Sequence, residues 1–197
     1  MRRGKLRGIL ILLLLLLFLS GLSILLFPHL WGAFVDHEIL VDAKEFLTRV
    51  EILPTEEPED LVIVDPPAST EPARQYPDLW EDMLTYNETI YAQGQSGLSC
   101  EYDYQKPSFY LTQYGLEDEV FGVISIPAME LPIYLGATNQ HMADGAAHLS
   151  QTSLPIGGKN TNCVIAGHRG YNGASYFRYI EKLKVGDVVS ITNLWET

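Results

Sequence analysis

His168 stands in the sequence Ala-Gly-His-Arg-Gly, at the end of the apolar run Cys163 to Ala166. An imidazole between two glycines, where backbone or substrate can approach closely, is placed for general acid–base work. A lone histidine in a purely structural role is an equally good reading of the same residues. Cys163, five residues earlier, suggests a thiol–imidazole pair. Strand geometry opposes that pairing, because side chains alternate faces with a period of two and residues an odd number apart point away from each other. A twist at Gly167 would weaken the objection, so the direct Cys163–His168 pair stays open as an alternative.

A second set of chemically able residues is His141, Asp144 and His148, at i, i+3 and i+7. On one helix they would share a face and, joined by His168, could supply nitrogen and oxygen ligands to zinc. Gly145 interrupts such a helix, and an ordinary structural role for these residues is the simpler reading.

The elements that must position these side chains follow from composition. Beyond residue 105 the chain reads as short Val- and Ile-rich strands bounded by Gly, Pro or Asn: residues 119–127, 130–136, 162–167 and 187–192. The stretch TNQHMADGAAHL reads as a helix-like turn, and SYFRYIEKL (175–183) puts Tyr176, Tyr179, Ile180 and Leu183 on one helical face. These patterns predict a mostly β domain, closer to a small barrel than to a doubly wound sheet. Ahead of it, the spacing of Trp80, Met83, Leu84 and Ile90 predicts a helix from Leu79 to Gln93, closed by Gly94. Asn87-Glu88-Thr89 within it fits a glycosylation acceptor, which matters only in a host that glycosylates.

The N-terminus has a different character. Residues 9–27 form a run of nineteen without a charge, which as helix spans roughly 28 Å, close to the hydrocarbon core of a bilayer. Arg2, Arg3, Lys5 and Arg7 precede it, and the first acid is Asp36. This asymmetry predicts a single-pass anchor with the N-terminus in the cytoplasm and the body outside. A cleavable signal peptide is the competing reading, although its apolar core is usually shorter and PHLWGAF offers no good cleavage site. Trp31 suits the outer interface.

From Ala33 to Leu53, Val35, Ile39, Phe46, Leu47 and Val50 recur on a stripe that predicts a short juxtamembrane helix. Residues 54–78, rich in proline and acid, read as a stiff linker that lifts the next domain off the membrane. The resulting division is 1–30 for the basic flank and anchor, 31–75 for the juxtamembrane helix and linker, and 76–197 for the domain.

Charge and cysteine content bound the function. The chain carries 25 Asp+Glu against 13 Lys+Arg, a net charge of −12, and such a body repels phosphate backbones, which disfavours nucleic-acid partners. Two cysteines, Cys100 in a loop and Cys163 in an apolar run, are too few for a disulfide framework, and a buried free thiol is the plain reading of Cys163.

Three segments in order, FGVISIPAMELPIYLGAT, AAHLSQTSLPIGGKNTNCVIAGHRG and YFRYIEKLKVGDVVSIT, resemble the sortase transpeptidases, most nearly class C, the pilus-assembling enzymes. The resemblance runs from about Tyr86 to the end. It implies an incomplete sortase-like β-barrel with short helices behind a transmembrane helix, in a membrane-anchored, extracellular protein of a Gram-positive bacterium. The implied activity is cleavage of a Leu-Pro-x-Thr-Gly-like sorting signal and transfer of the acyl group to an amine.

The implied partners are sorting-signal peptides of pilins or surface proteins, and an amine from a pilin lysine or a cell-wall peptide. No cofactor is expected. The family's catalytic histidine falls on His168, and His148 falls in an ordinary structural segment. The family's nucleophilic cysteine, in a Thr-Leu-x-Thr-Cys-like strand, and its late arginine both follow the VGDVVSIT strand. Neither Cys100, Cys163 nor Arg169 stands in such a motif, so the expectation is that these 197 residues alone are inactive. SCEYDY stands where the pilus class often carries an Asp-Pro-aromatic lid, which puts a lid of that kind in doubt. A tethered, non-catalytic module that binds sorting-signal peptides is the alternative.

Overall fold

The computed structural model describes residues 2–52, 74–94, 96, 100, 102–127 and 129–196. The first element is one continuous helix, α1 (Arg2–Ile52), with Pro28 inside it. The expected anchor and juxtamembrane helix are therefore two halves of a single rod. Its apolar half is exposed throughout the run 9–27, and among the described residues it is the one helix long and apolar enough to cross a membrane. The second half is amphipathic: Ile39, Ala43 and Phe46 are buried at spacings of four and three, the repeat that keeps one helical face against a core.

The body hangs on this second half. Arg49 donates to both carboxylate oxygens of Asp118, at 2.6 and 3.3 Å, and at the other end Gly32 meets Gly173 backbone to backbone. A Cβ on Gly32 would lie 2.3 Å from the Gly173 carbonyl carbon. The Pro- and acid-rich linker expected at 54–78 falls almost wholly outside the described residues. Among those described, the body lies along α1 itself.

α2 (Pro77–Ala92) opens with Pro at its first turn, where a missing N–H costs nothing, and with Asp78 favourably placed on the helix dipole. Its buried face is Leu79, Met83, Asn87 and Ile90. Of the residues whose spacing predicted this helix, Trp80 is half-buried and packs edge-on against Trp195 at 4.8 Å, while Leu84 faces outward. Asn87 is the unexpected member. Its side chain accepts from Leu154 N at 2.7 Å and donates back to Leu154 O at 3.5 Å, which ties α2 to the body and removes Asn87 as a glycosylation acceptor.

Five strands form one open, mixed sheet in the order β4-β3-β2-β1-β5: β1 (Val120–Ile126), β2 (Met129–Leu135), β3 (Ala146–His148), β4 (Ile165–Ala166) and β5 (Ser190–Asn193). β1 pairs antiparallel with β2 and β5, β2 runs parallel to β3, and β3 antiparallel to β4. The short helix α3 (Asn139–Asp144) makes the β2–β3 crossover, with the Thr138 hydroxyl accepting from His141 N at its N-cap. Pro132 is tolerated inside β2 because pairing with β3 begins only at Ile133.

Both sheet faces are covered, which explains why β1 and β2 read as near-continuous apolar runs. Phe121 and Val123 of β1 meet Phe46 of α1 and Leu79 and Met83 of α2. Ile124 and Ile126 face the other way, toward Ile39 of α1 and the loop residues Ala174, Tyr176 and Phe177.

Three sequence expectations are corrected, and one alternative falls. The helix expected over 175–183 is a series of turns with one 3-10 turn at Ile180–Lys182, because Tyr176 sits at φ +42°, in the left-handed region that a helix cannot pass through. The strand expected at 162–167 pairs only at Ile165–Ala166, and the strand expected at 187–192 pairs at 190–193, leaving Val188 and Val189 exposed. Finally, α3 ends at Asp144 and His148 belongs to β3, so His141, Asp144 and His148 share no helical face.

Candidate active site

β4 delivers the chain to Gly167 and His168. Gly167 is required by packing: a Cβ there would come within 2.4 Å of the Phe177 ring. The loop from Arg169 to Phe177 then turns back on itself. Phe177 N donates to His168 O at 2.9 Å, and Tyr171 and Ala174 exchange a pair of backbone bonds at 3.2 and 2.9 Å. Gly170 and Gly173 adopt φ of +95° and +90°, and Asn172 joins them at +47°, so the tight turn uses residues that tolerate the left-handed region. Arg178 donates to the carbonyls of Ala174 and Gly173, and the Arg169 guanidinium pairs with Glu181 on the surface.

The His168 ring lies half-buried between two aromatic rings of its own loop. It stacks on Tyr171 at 4.5 Å and 17°, and Tyr176 meets it edge-on at 5.4 Å and 76°. The Tyr176 hydroxyl donates to Ala143 O at 2.6 Å, which anchors that ring beyond the loop. Among the described residues no side chain hydrogen-bonds to either imidazole nitrogen. The ring is thus held by apolar contact while its nitrogens stay available to exchange a proton with an incoming group.

On the far side of Tyr171 and Tyr176, a cavity of about 350 Å³ opens toward α1, bounded by Trp31, Phe34, Asp42 and Asp144. Burial, with Glu38 and Asp144 as neighbours, raises the Asp42 carboxyl above its ordinary range.

The remaining candidates are placed elsewhere or do other work. Cys163 is a free thiol, half-buried, and burial pushes its pKa up to about 12, the wrong direction for a thiolate nucleophile. Cys100 is exposed and free, with its thiol and its backbone N–H both directed to the Asp103 carboxylate. His141 stacks on Tyr134 at 5.1 Å and places Nδ1 2.7 Å from Gly136 O. Gln140 donates to both oxygens of Asp144.

His148 has no exposed surface, and its Nε2 lies 3.0 Å from Ser153 O and 3.2 Å from Thr152 O. Burial lowers its pKa to about 4, which fixes it as a neutral donor. The alternative metal set of His141, Asp144, His148 and His168 does not assemble, and among the described residues no group of three His, Cys, Asp or Glu could hold an ion.

Sequence reasoning missed the role of Asp36. Its carboxylate accepts from Ser175 N at 2.6 Å and from Ser175 Oγ at 3.0 Å, joining α1 to the His168 loop. A lone acid on the apolar-striped side of a helix was the available signal.

Against known proteins, the sortase domain family model matches residues 124–197. Those residues hold most of the sheet, His168 and its loop. No curated protein sequence matches significantly. Solved structures do. Sortase C1 of GBS pilus island 1 aligns at 28% identity over 61% of this chain and 63% of its own length, with a TM-score of 0.52. Sortase C-1 from Streptococcus pneumoniae aligns at 25% identity over 79% of this chain and 71% of its own, with a TM-score of 0.52. Sortase C1 of Streptococcus agalactiae, in its type III crystal, aligns at 25% identity over 79% and 70%, with a TM-score of 0.53. The chain spans 63% of the length of the first of these and 71% of the second. The Gly-His-Arg-Gly turn thus lies in a segment that matches the sortase domain, on a sheet similar to that of these class C sortase structures.

Proposed function

We propose that the chain is the anchor and the histidine-bearing portion of a membrane-tethered cysteine transpeptidase that cleaves a Leu-Pro-x-Thr-Gly-like sorting signal. The observation that carries this reading is the environment of His168 inside the matched sortase domain: an imidazole clamped by two tyrosines, with both nitrogens open.

In such a reaction a thiolate attacks the threonine carbonyl, and the carbon–nitrogen bond to glycine breaks as His168 gives a proton to the departing amine. A thioester is left. An incoming amine then attacks it, loses a proton to the imidazole and forms the new amide, releasing the thiolate. His168 supplies both proton transfers. The nucleophile is neither cysteine seen here, since Cys163 is held as a thiol and Cys100 is bonded within its own loop. It comes from a Thr-Leu-x-Thr-Cys-like strand, with the oxyanion held by an arginine beyond it, so these 197 residues alone do not turn over. The apolar half of α1 crosses the membrane with the basic flank in the cytoplasm and the body outside, where pilin or wall amines are the acceptors.

The test is to assay the chain with a Leu-Pro-x-Thr-Gly peptide and a primary amine, before and after fusion to a segment carrying that strand and arginine. Product should appear only in the fused protein. Peptide binding without turnover in the fusion would favour the non-catalytic module, and a thioester on Cys163 or Cys100 in the unfused chain would overturn the assignment of the nucleophile.

A further inference from the structure

We infer that Asp36 of α1 is a positioning residue for His168, so that the juxtamembrane half of the helix is part of the site as well as its tether. The inference rests on the reading of His168 as the proton carrier. The chain of contacts is short. Asp36 takes both donors of Ser175, the backbone N–H and the hydroxyl. The next residue is Tyr176, at φ +42°, a conformation that a bulky side chain leaves unless its neighbours over-determine it.

Three bonds do so: Ser175 to Asp36 before it, its own hydroxyl to Ala143 O, and Phe177 N to His168 O after it. Of these, the bond to Asp36 joins a carboxylate, and it ties the loop to α1. Held this way, the Tyr176 ring stands edge-on to His168 and fixes one wall of its slot. The Gly32–Gly173 approach, which no other residue pair could make, sets the distance at which Asp36 can reach the loop.

Release of Asp36 therefore frees Tyr176 to relax toward negative φ, opens the slot, and lets the imidazole sample orientations unsuited to proton transfer. The ion pair between Arg49 and Asp118 also docks α1, but at the opposite end of the contact and without touching the loop.

The experiment uses the full 197-residue chain in detergent micelles with histidine labelled for NMR, the His168 signal being assigned by His168→Gln. Stacking on Tyr171 and Tyr176 displaces the His168 ring protons by ring currents. Asp36→Ala should abolish most of that displacement and speed exchange of the Phe177 amide roughly tenfold. Asp36→Asn, whose carbonyl oxygen can still accept from Ser175 N, should retain most of both. Arg49→Ala should leave the His168 signal in place.

An unchanged His168 signal in Asp36→Ala overturns the inference, as does an equal change in Arg49→Ala, which would reveal general docking rather than positioning. If Asp36→Ala does not fold, Ser175→Ala decides: a smaller displacement in the same direction supports the inference, and none overturns it. These readouts need no substrate, so failure of transpeptidation in the fused protein would sink the catalytic reading and leave this result standing.

Discussion

His148 ends β3 with no accessible surface and its Nε2 against two carbonyl oxygens, whereas His168 follows β4 half-buried between two tyrosine rings with its nitrogens open. The difference lies in what surrounds each imidazole. Full burial outweighs the opposing pull of the two carbonyl oxygens and holds His148 neutral across the physiological range, which suits a residue that ties β3 to the 152–153 turn. One stacked and one edge-on ring fix the orientation of the His168 ring and leave its nitrogens without a side-chain partner among the described residues. A histidine that must give and take protons needs the second arrangement.

The strongest way to break this comparison is to delete each ring in the fused transpeptidase. His168→Ala should lower turnover by about 10²–10⁴-fold, the usual weight of a general acid–base group, and shift stability by less than about 1 kcal/mol. Steady-state kinetics and denaturant titration read the two effects separately. An inactive but strongly destabilised His168→Ala protein would make that histidine structural, like His148.

A pH titration of stability sharpens the other half. The folded chain holds His148 neutral down to about pH 4, while the unfolded chain takes up a proton near 6.5. The unfolded state thus binds more protons between these values, and stability rises with pH there. His148 should therefore contribute a loss of about 3 kcal/mol as pH falls from about 6.5 to 4, with none above. Urea unfolding of the chain and of His148→Gln across that range should isolate the contribution as the part missing in the variant.

Smaller effects come from the entry to the His168 loop. Gly167→Ala places a methyl 2.4 Å from the Phe177 ring and should cost about 1–3 kcal/mol of stability as that ring is forced aside. The same change should lower turnover of the fused enzyme more than a matched destabilisation near His148 does. Last, alkylation at pH 8 should modify Cys100 at least about tenfold faster than Cys163, since Cys100 is exposed whereas Cys163 is half-buried and pushed by that burial to a pKa of about 12. Mass spectrometry of the peptides gives the ratio, and equal rates would return Cys163 to candidacy as a partner of His168.

How far the sequence could be read depends on the range of the forces involved. β1, β2 and α2 were legible because strand and helix periodicity are local, and the turn that carries His168 was legible because its flanking glycines mark a place of close approach. The sheet order was not, since the parallel β2–β3 pairing is set by tertiary packing around α3. The helix expected at 175–183 had a sound apolar stripe, yet the bonds of Ser175 to α1, Tyr176 to α3 and Phe177 to His168 outweigh local helix propensity. Asp36 stayed hidden for the same reason: its partner lies 139 residues away. The role of Asn87 likewise exists only once α2 and Leu154 meet.

The uninterrupted rod from the apolar run to Arg49 carries one more implication. A body bolted along such a rod, with Gly173 against the turn at Pro28 and Gly32, keeps a fixed height and tilt above the bilayer in which that run is proposed to sit. Under the proposed function, encounter becomes a search in two dimensions, in which lateral diffusion supplies substrates that are themselves held in the lipid. The reach of the His168 loop along the membrane normal is set by the length of a helix, and it would select sorting signals by how far they emerge from their own anchors.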